Sequence, residues 1–340
     1  MTGNVNPRDL QRRHDFVRAV AFFLFVGMHF ASVGSTPADL ADLVSAPPQE
    51  LRARIDSASA KLGAALSPAG REVSKQSLSR FYRWVSGYCR GDEVQSDLSP
   101  DAQTCIRNQY FNYLARIPDS VYRIGQWTVF ETGIYGLIWA DDDLQGEDAA
   151  RPFTWDLQVV WPRVDADHSP LADGFSAALA EQIRVSESSW AASGWERGIE
   201  VRLAAIGDCY ISATVTGSTY GGGAHPYEDY GTFNWNRRTK RAIYFAGLLQ
   251  AKSESQNGVF NLYKRRLGQS ATGISDDSLR QSLQSGFLLT DNALRVIEQE
   301  GRSRMERLPQ VDIPWSELSS WVLPGVPCAP ASPKTSQEGK

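Results

Sequence analysis

Ile199-Glu-Val-Arg-Leu-Ala-Ala-Ile-Gly-Asp-Cys-Tyr-Ile-Ser-Ala-Thr-Val215 reads as two strands joined by a tight turn. Apolar residues fall at every second position: Ile199, Val201, Leu203 and Ala205, then Cys209, Ile211, Ala213 and Val215. That alternation puts them on one sheet face, and Gly207-Asp208 between the runs is a two-residue hairpin signal. Outward from this hairpin, Trp127 to Ala140 and Phe153 to Val164 alternate on either side of the acidic stretch Asp141 to Asp148. Phe233 and Trp235 mark another strand, Arg237 to Lys240 a turn, and Ala242 to Phe245 its continuation. Phe287-Leu-Leu289, a turn at Asp291-Asn292 and Leu294 to Ile297 form a second hairpin. Val311 to Pro314 and a helical Trp315 to Val322 close the pattern. Helical spacing appears at Leu171, Phe175, Leu179 and Ile183, and again at Leu279 and Leu283. The expected fold class is α+β, a mostly antiparallel sheet with two or three packed helices.

Upstream the period is helical. Ser67-Pro68 is an N-cap followed by Pro at the first helical position; Leu78, Phe81, Val85 and Tyr88 follow, and Gly91 is the stop. Ser99-Pro100 repeats the start signal; Ile106, Tyr110, Leu114 and Ile117 make the stripe, and Pro118 ends it. These two segments predict a helix hairpin ahead of the sheet. Residues 36–66 are Ala-rich, interrupted by Pro47-Pro48, and read as a mobile or loosely helical lead-in.

The first residues carry a different signal. Arg8, Arg12, Arg13 and Arg18 precede the apolar run Ala19 to Met28 and then small residues up to Ser35. A basic start, a short apolar core and small residues describe a secretory signal. The clean run is about half of the roughly 20 residues that span a bilayer, so cleavage is expected. An uncleaved inner-membrane anchor over residues 16–33 is the alternative. The chain then divides into residues 1–35 as signal, 36–118 as a helical N-terminal region, 119–328 as the α+β domain, and a disordered Pro/Ser/Lys-rich tail at 329–340. The expected compartment is periplasmic or otherwise extracytoplasmic.

Four cysteines, Cys89, Cys105, Cys209 and Cys328, lie beyond the signal. An even number in an exported chain reads as two disulfides, with three connectivities open. In an antiparallel helix hairpin the last turn of the first helix neighbours the opening of the second, which favours Cys89–Cys105. Cys209–Cys328 follows by elimination.

The 340 residues include 35 Lys and Arg against 39 Asp and Glu, a net charge of −4, with 42% hydrophobic residues. That balance provides a core and argues against a nucleic-acid partner, which calls for a basic face. A mean hydropathy of −0.35 argues against a polytopic membrane protein. Catalytic signatures are sparse. Beyond the signal only His168 and His225 remain, and Gly217-Ser218-Thr219 lacks the second glycine of a nucleophile elbow. No His-Glu-x-x-His or Cys-x-x-Cys exists, so neither a metal nor another cofactor is expected. Asp141, Asp142, Asp143, Glu147 and Asp148 lack the spacing of a calcium loop and read as a solvated turn. A carboxylate-dependent enzyme is the one catalytic reading left, and the expectation is that the chain is not an enzyme.

The most unusual segment is Tyr220-Gly221-Gly222-Gly223-Ala224-His225-Pro226-Tyr227. Three glycines allow close backbone approach in a tight loop between strands. With no Lys-Ser/Thr after it and no helix beginning there, it is not a phosphate loop. Tyr220, Gly221, Gly222, Gly223, His225, Pro226 and Tyr227, with Tyr230 nearby, are the candidate binding residues; a structural turn is the plainer reading of the same segment. Trp190, Trp195 and Trp235 could add a sugar-stacking surface, although scattered aromatics on strands are more often core.

Several pieces occur in the order of a known family. Leu157-Gln-Val-Val-Trp-Pro162, the helix Leu171 to Val185, Cys209 to Tyr220 leading into Gly222-Gly-Ala-His-Pro226, Asn234-Trp-Asn-Arg-Arg-Thr-Lys240, Phe287 to Leu294 and Val311 to Leu318 carry the likeness. Residues 120–325 thereby resemble the extracytoplasmic domain of RsiV-type anti-sigma factors and PdaC-type peptidoglycan deacetylases. The charged, Arg-rich stretch Glu298 to Leu308 departs from that pattern, and the deacetylase motifs are absent. Residues 80–117, with Cys89, Cys105 and Cys-Ile-Arg-Asn-Gln-Tyr-Phe-Asn-Tyr-Leu-Ala-Arg116, are similar to the helical domain of LprI-type lysozyme inhibitors. Both resemblances imply a protein of the bacterial cell envelope that binds a lysozyme-like peptidoglycan hydrolase, as inhibitor, immunity protein or sensor. Direct binding of peptidoglycan or another glycan is the alternative.

Overall fold

The computed structural model describes residues 43, 45–90, 98–139, 154–166, 169–172, 174–190, 196–220, 227–252, 254–297 and 310–328. The signal segment, the acidic stretch Asp141 to Asp148, His168, Trp195, Gly221 to Pro226 and the tail from Ala329 lie outside them. Described helices are α1 Pro48–Gly63, α2 Pro68–Arg90, α3 Pro100–Arg116, α4 Phe175–Trp190, α5 Ser255–Leu267, α6 Asp276–Ser285 and the single turn α7 Trp315–Leu318. The described strands are β1 Val121–Ile124, β2 Trp127–Trp139, β3 Thr154–Val164, β4 Glu196–Ile206, β5 Tyr210–Tyr220, β6 Tyr227–Asn236, β7 Arg241–Ala242, β8 Phe287–Leu289, β9 Ala293–Ile297 and β10 Gln310–Pro314.

The fold is α+β. One sheet runs β1-β2-β3-β4-β5-β6-β7 and a smaller one β10-β9-β8. Every pair is antiparallel except β3–β4, which is parallel over Asp156↔Glu196 to Val160↔Glu200. A parallel pair needs a crossover, and α4 supplies it. Ile199, Val201 and Leu203 of β4, Ile211 and Ala213 of β5, and Phe233 and Trp235 of β6 form one face. Phe175, Leu179 and Ile183 of α4 pack on it, as both periodicities require. The hairpin turn is one residue later than expected. Gly207 N–H donates to Tyr210 O at 3.0 Å, so Asp208 and Cys209 hold the corner. Gly207 is there because a Cβ would lie 2.2 Å from the Tyr210 ring.

The opposite side of β5 and β6 carries the small sheet. Ser212 Oγ donates to Asn234 Oδ1 at 2.6 Å, and Asn234 Nδ2 donates to Phe287 O at 2.8 Å. Leu289 N–H donates to Ser212 Oγ at 3.0 Å, and Thr232 Oγ1 to Ser285 O at 2.8 Å. Beyond this polar seam lies a second apolar core of Tyr210, Phe245, Val259, Tyr263, Leu279, Leu289 and Ile313. Helix α5 falls in a stretch for which the sequence reading names no element. Within it Gly258 lets Trp321 pack close: a Cβ would sit 2.3 Å from the indole Nε1.

The helical segment forms a third core around Leu51, Ile55, Phe81, Trp84, Val85, Ile106 and Tyr110. Residues 48–63 are thus a regular helix with Leu51 and Ile55 fully buried, where a loose lead-in was expected. Ser67 Oγ accepts from Gly70 N–H and Ser99 Oγ from Ala102 N–H, the two caps read from Ser-Pro. Cys89 pairs with Cys105 and Cys209 with Cys328, at Cα–Cα distances of 5.5 and 5.4 Å.

Helix α2 lies along the free edge of β2, one way proteins cover an exposed strand. Gly133 N–H donates to Ser77 Oγ at 2.7 Å. Asp165, just past β3, accepts from Ser67 N–H at 2.6 Å and Ser67 Oγ at 2.5 Å. Beyond these ties Tyr135 meets Phe81 and Trp84, with ring centroids 5.5 and 5.4 Å away. A Cβ on Gly133 would lie 2.1 Å from the Tyr135 ring. Gly133→Ala is therefore expected to displace that ring and cost about 1–3 kcal/mol, the usual range for overpacking, read as a lower urea midpoint.

Candidate functional site

The strand ends decide where the sequence-derived candidates belong. Trp139 pairs with Thr154, Asp156 with Glu196, Glu196 with Tyr220, and Thr219 with Tyr227. One end of the sheet therefore carries three connections: the acidic β2–β3 link, the α4–β4 link that contains Trp195, and the six residues between Tyr220 and Tyr227. Helix α2 runs toward the same end, since Ser77 meets Gly133 and Trp84, a turn or two on, meets Tyr135. Tyr220 ends β5 and Tyr227 begins β6. Gly221, Gly222, Gly223, His225 and Pro226 lie outside the described residues. Tyr230 is half-buried and hydrogen-bonded to Thr214. Trp235 does not face outward: it is buried beside Phe233 in the core under α4 and is removed from any sugar-stacking surface.

The described structure holds a second polar centre that sequence reasoning missed. It forms where the helical segment enters the sheet. After α3, Ile117 to Asp119 make a 3-10 turn, closed by Ser120 N–H donating to Ile117 O at 3.0 Å. Strand β1 then pairs with β2 from Val121↔Phe130, and Glu131 N–H donates to Ser120 O at 2.8 Å. That short path brings Arg116, the last residue of α3, to Glu131. Arg116 Nη2 lies 3.7 Å from Glu131 Oε2 and 3.9 Å from Glu200 Oε2 on β4.

Exposure separates the three side chains. Glu131 is 7% exposed, Arg116 39% and Glu200 36%. Glu131 Oε1 is buried and has no hydrogen-bond partner among the described residues. Burial pushes the Glu131 carboxyl up to about 7; Arg116 and Arg202 oppose the rise, while Glu200 and Asp119 add to it. Burial also opposes charge on Arg116, but Glu200 and then Glu131 outweigh it and raise its pKa. Tyr113 stacks on Phe81 at 4.1 Å and is pushed up to about 12, mainly by burial.

The neighbouring strand gap is filled from β1. Strand β3 pairs with β4 only as far as Glu200, and beyond it Leu203 N–H donates to Tyr122 Oη at 3.0 Å. Arg202 sits over the Tyr122 ring, 4.6 Å from its centroid. A cavity of about 50 Å³ abuts Glu131, lined by Ser59, Ser74, Tyr113, Arg116 and Tyr135 among others. It has room for water (about 30 Å³ per molecule in the liquid) and not for a sugar ring. Among the described residues there is no histidine and no group of three His, Cys, Asp or Glu side chains placed to hold a metal. The cluster can exchange a proton near neutrality. The only trace of it in the sequence is Glu131 itself, a carboxylate inside the strand Trp127 to Ala140.

No family model matches the chain, and no curated protein does. Among solved structures it is similar to a DUF3298 family protein from Pseudomonas aeruginosa PAO1, with 17% identity and a TM-score of 0.38, covering 58% of this chain and 94% of that one. It is also similar to a DUF3298 family member from Bacteroides fragilis NCTC 9343, with 10% identity and a TM-score of 0.36, covering 59% and 95%. Both likenesses are too distant to bring an activity or a partner to this chain. The cysteines bear on the compartment. With both disulfides formed and no free cysteine, the chain is suited to an oxidising environment. No helix of the described residues is long and apolar enough to cross a membrane.

Proposed function

We propose that the chain is an exported, non-catalytic binding protein of the bacterial cell envelope that recognises a lysozyme-like peptidoglycan hydrolase. The observation that supports this reading is the gathering of three connections, including the one between Tyr220 and Tyr227, at one end of a disulfide-anchored sheet. Loops displayed from a rigid sheet end are where binding surfaces are usually built. The net charge of −4 suits a basic wall hydrolase, because opposite charge speeds encounter. The resemblance to RsiV-type and LprI-type domains, carried by Gly222 to Pro226 and by the Cys89–Cys105 hairpin, points to the same partner class.

The test is a titration of the disulfide-bonded protein into c-type lysozyme and a small panel of basic wall hydrolases, with affinity and lysis followed together. Binding with lost lysis is the inhibitor outcome, and binding with lysis intact the sensor outcome. Joint replacement of Tyr220, His225 and Tyr227 by alanine is expected to weaken binding at least tenfold, about 1.4 kcal/mol, with an unchanged melting temperature. Unchanged affinity in that variant removes the loop from the contact. Retention on purified sacculi without any hydrolase binding replaces the protein partner with a glycan.

A further inference from the structure

We propose that the Arg116–Glu131–Glu200 cluster is a proton-controlled latch between the helical segment and the sheet, closed when Glu131 is protonated and loosened when it is ionised. Its geometry sets it apart from an ordinary ion pair. The 3.7 Å from Arg116 to Glu131 is beyond hydrogen-bond reach, and Glu131 Oε1 meets no donor among the described residues. An ionised carboxylate so placed loses its water without gaining bonds in return, whereas a neutral carboxyl loses far less. The small cavity beside it offers relief: a slight parting of α3 from β2 would admit water to the charged oxygen.

Every element packed there contributes to the balance. Helix α3 brings Arg116 and Tyr113, the following turn Asp119, and β1 Tyr122. Strand β4 brings Glu200 and Arg202; β2 adds Tyr135, which also feels Arg80 of α2. Two cations and two further carboxylates face Glu131, so charge nearly cancels and burial decides. The carboxyl is raised to about 7 when docked, against an ordinary 4.5 when the latch opens to water. A raised pKa means that the stabilisation is complete below the ordinary value. It is lost as pH rises through about 7. Opening should become on the order of fiftyfold to a hundredfold easier between about pH 5 and about pH 8.5.

Two readouts on the full disulfide-bonded chain test this. The first is the side-chain carboxyl 13C shift of Glu131 across pH. The second is amide hydrogen exchange of residues 117–132, corrected for intrinsic rates, in the wild type and in Glu131→Gln. The expected result is a titration midpoint near neutrality, with exchange in the wild type rising on the same midpoint. In Glu131→Gln, which keeps the shape without the charge, exchange should stay slow and flat. A midpoint below about 5, or the same pH slope in Glu131→Gln, overturns the latch. If the variant does not fold, disagreement between the two wild-type midpoints overturns it equally.

Discussion

Replacing Cys209 and Cys328 together by alanine is expected to lower folding stability by about 4–5 kcal/mol, the largest effect of any covalent change in the described structure. The reason is chain entropy. The two cysteines are 119 residues apart, against 16 for Cys89 and Cys105, so the first bridge closes the longer loop in the unfolded chain. The same argument gives about 3 kcal/mol for the helix-hairpin bridge. The folded side points the same way. Cys209 is fully buried at the turn into β5, and Cys328 packs against the same core. The segment leading to Cys328 is already held: Leu323 N–H donates to Leu248 O at 2.8 Å, and Gln250 Nε2 to Val322 O at 2.8 Å. Those bonds keep the native contacts in place after the substitution, so the loss should lie mostly in the unfolded state. Urea unfolding of the two double variants measures it. A smaller loss for Cys209/Cys328 than for Cys89/Cys105 would mean that the long loop is already constrained when unfolded.

The second large effect is expected at Asn234, which is 3% exposed at the seam between the two sheets. Its amide donates to Phe287 O at 2.8 Å, while its oxygen accepts from Ser212 Oγ at 2.6 Å and Leu289 N–H at 3.2 Å. Asn234→Leu keeps the volume but leaves the Phe287 carbonyl without its donor and the Ser212 hydroxyl proton without its acceptor. Each such unmet buried donor or acceptor costs about 1–3 kcal/mol, so a total of about 3 kcal/mol is expected. Ser212→Ala should cost about 1 kcal/mol, because Leu289 N–H still reaches Asn234 Oδ1. Strong non-additivity in the double variant would show the two acting as one network; simple additivity would mean that the seam is held by its apolar neighbours instead.

Local signals carried much of this fold. Alternation at Ile199 to Val215 and at Phe287 to Ile297 named strands that exist, and Ser67 and Ser99 cap the helices their Ser-Pro pairs announced. Once the helix hairpin was read, adjacency of its ends was enough to pair Cys89 with Cys105. Where a residue serves a distant neighbour, the signal was faint. Gly258 makes room for Trp321 in a helix the sequence did not announce, and Ala- and Ser-rich α1 buries Leu51 and Ile55 with Ala58 and Leu62 partly buried beside them. Trp235, a candidate for display, is core because α4 crosses over β6.

The chemistry divides along the same line. From the sequence alone came the α+β class, part of the strand and helix order, the oxidised cysteines and the scarcity of catalytic motifs, because these depend on periodicity, composition and near neighbours in the chain. The tertiary structure alone decided that the ends of β2 to β6 bring three distant connections together, and that Glu131, Arg116 and Glu200 meet. Periodicity says which face of a strand a side chain takes. It does not say what lies across that face, and burial by α3 and β1 is what turns Glu131 from a surface carboxylate into one that titrates near neutrality.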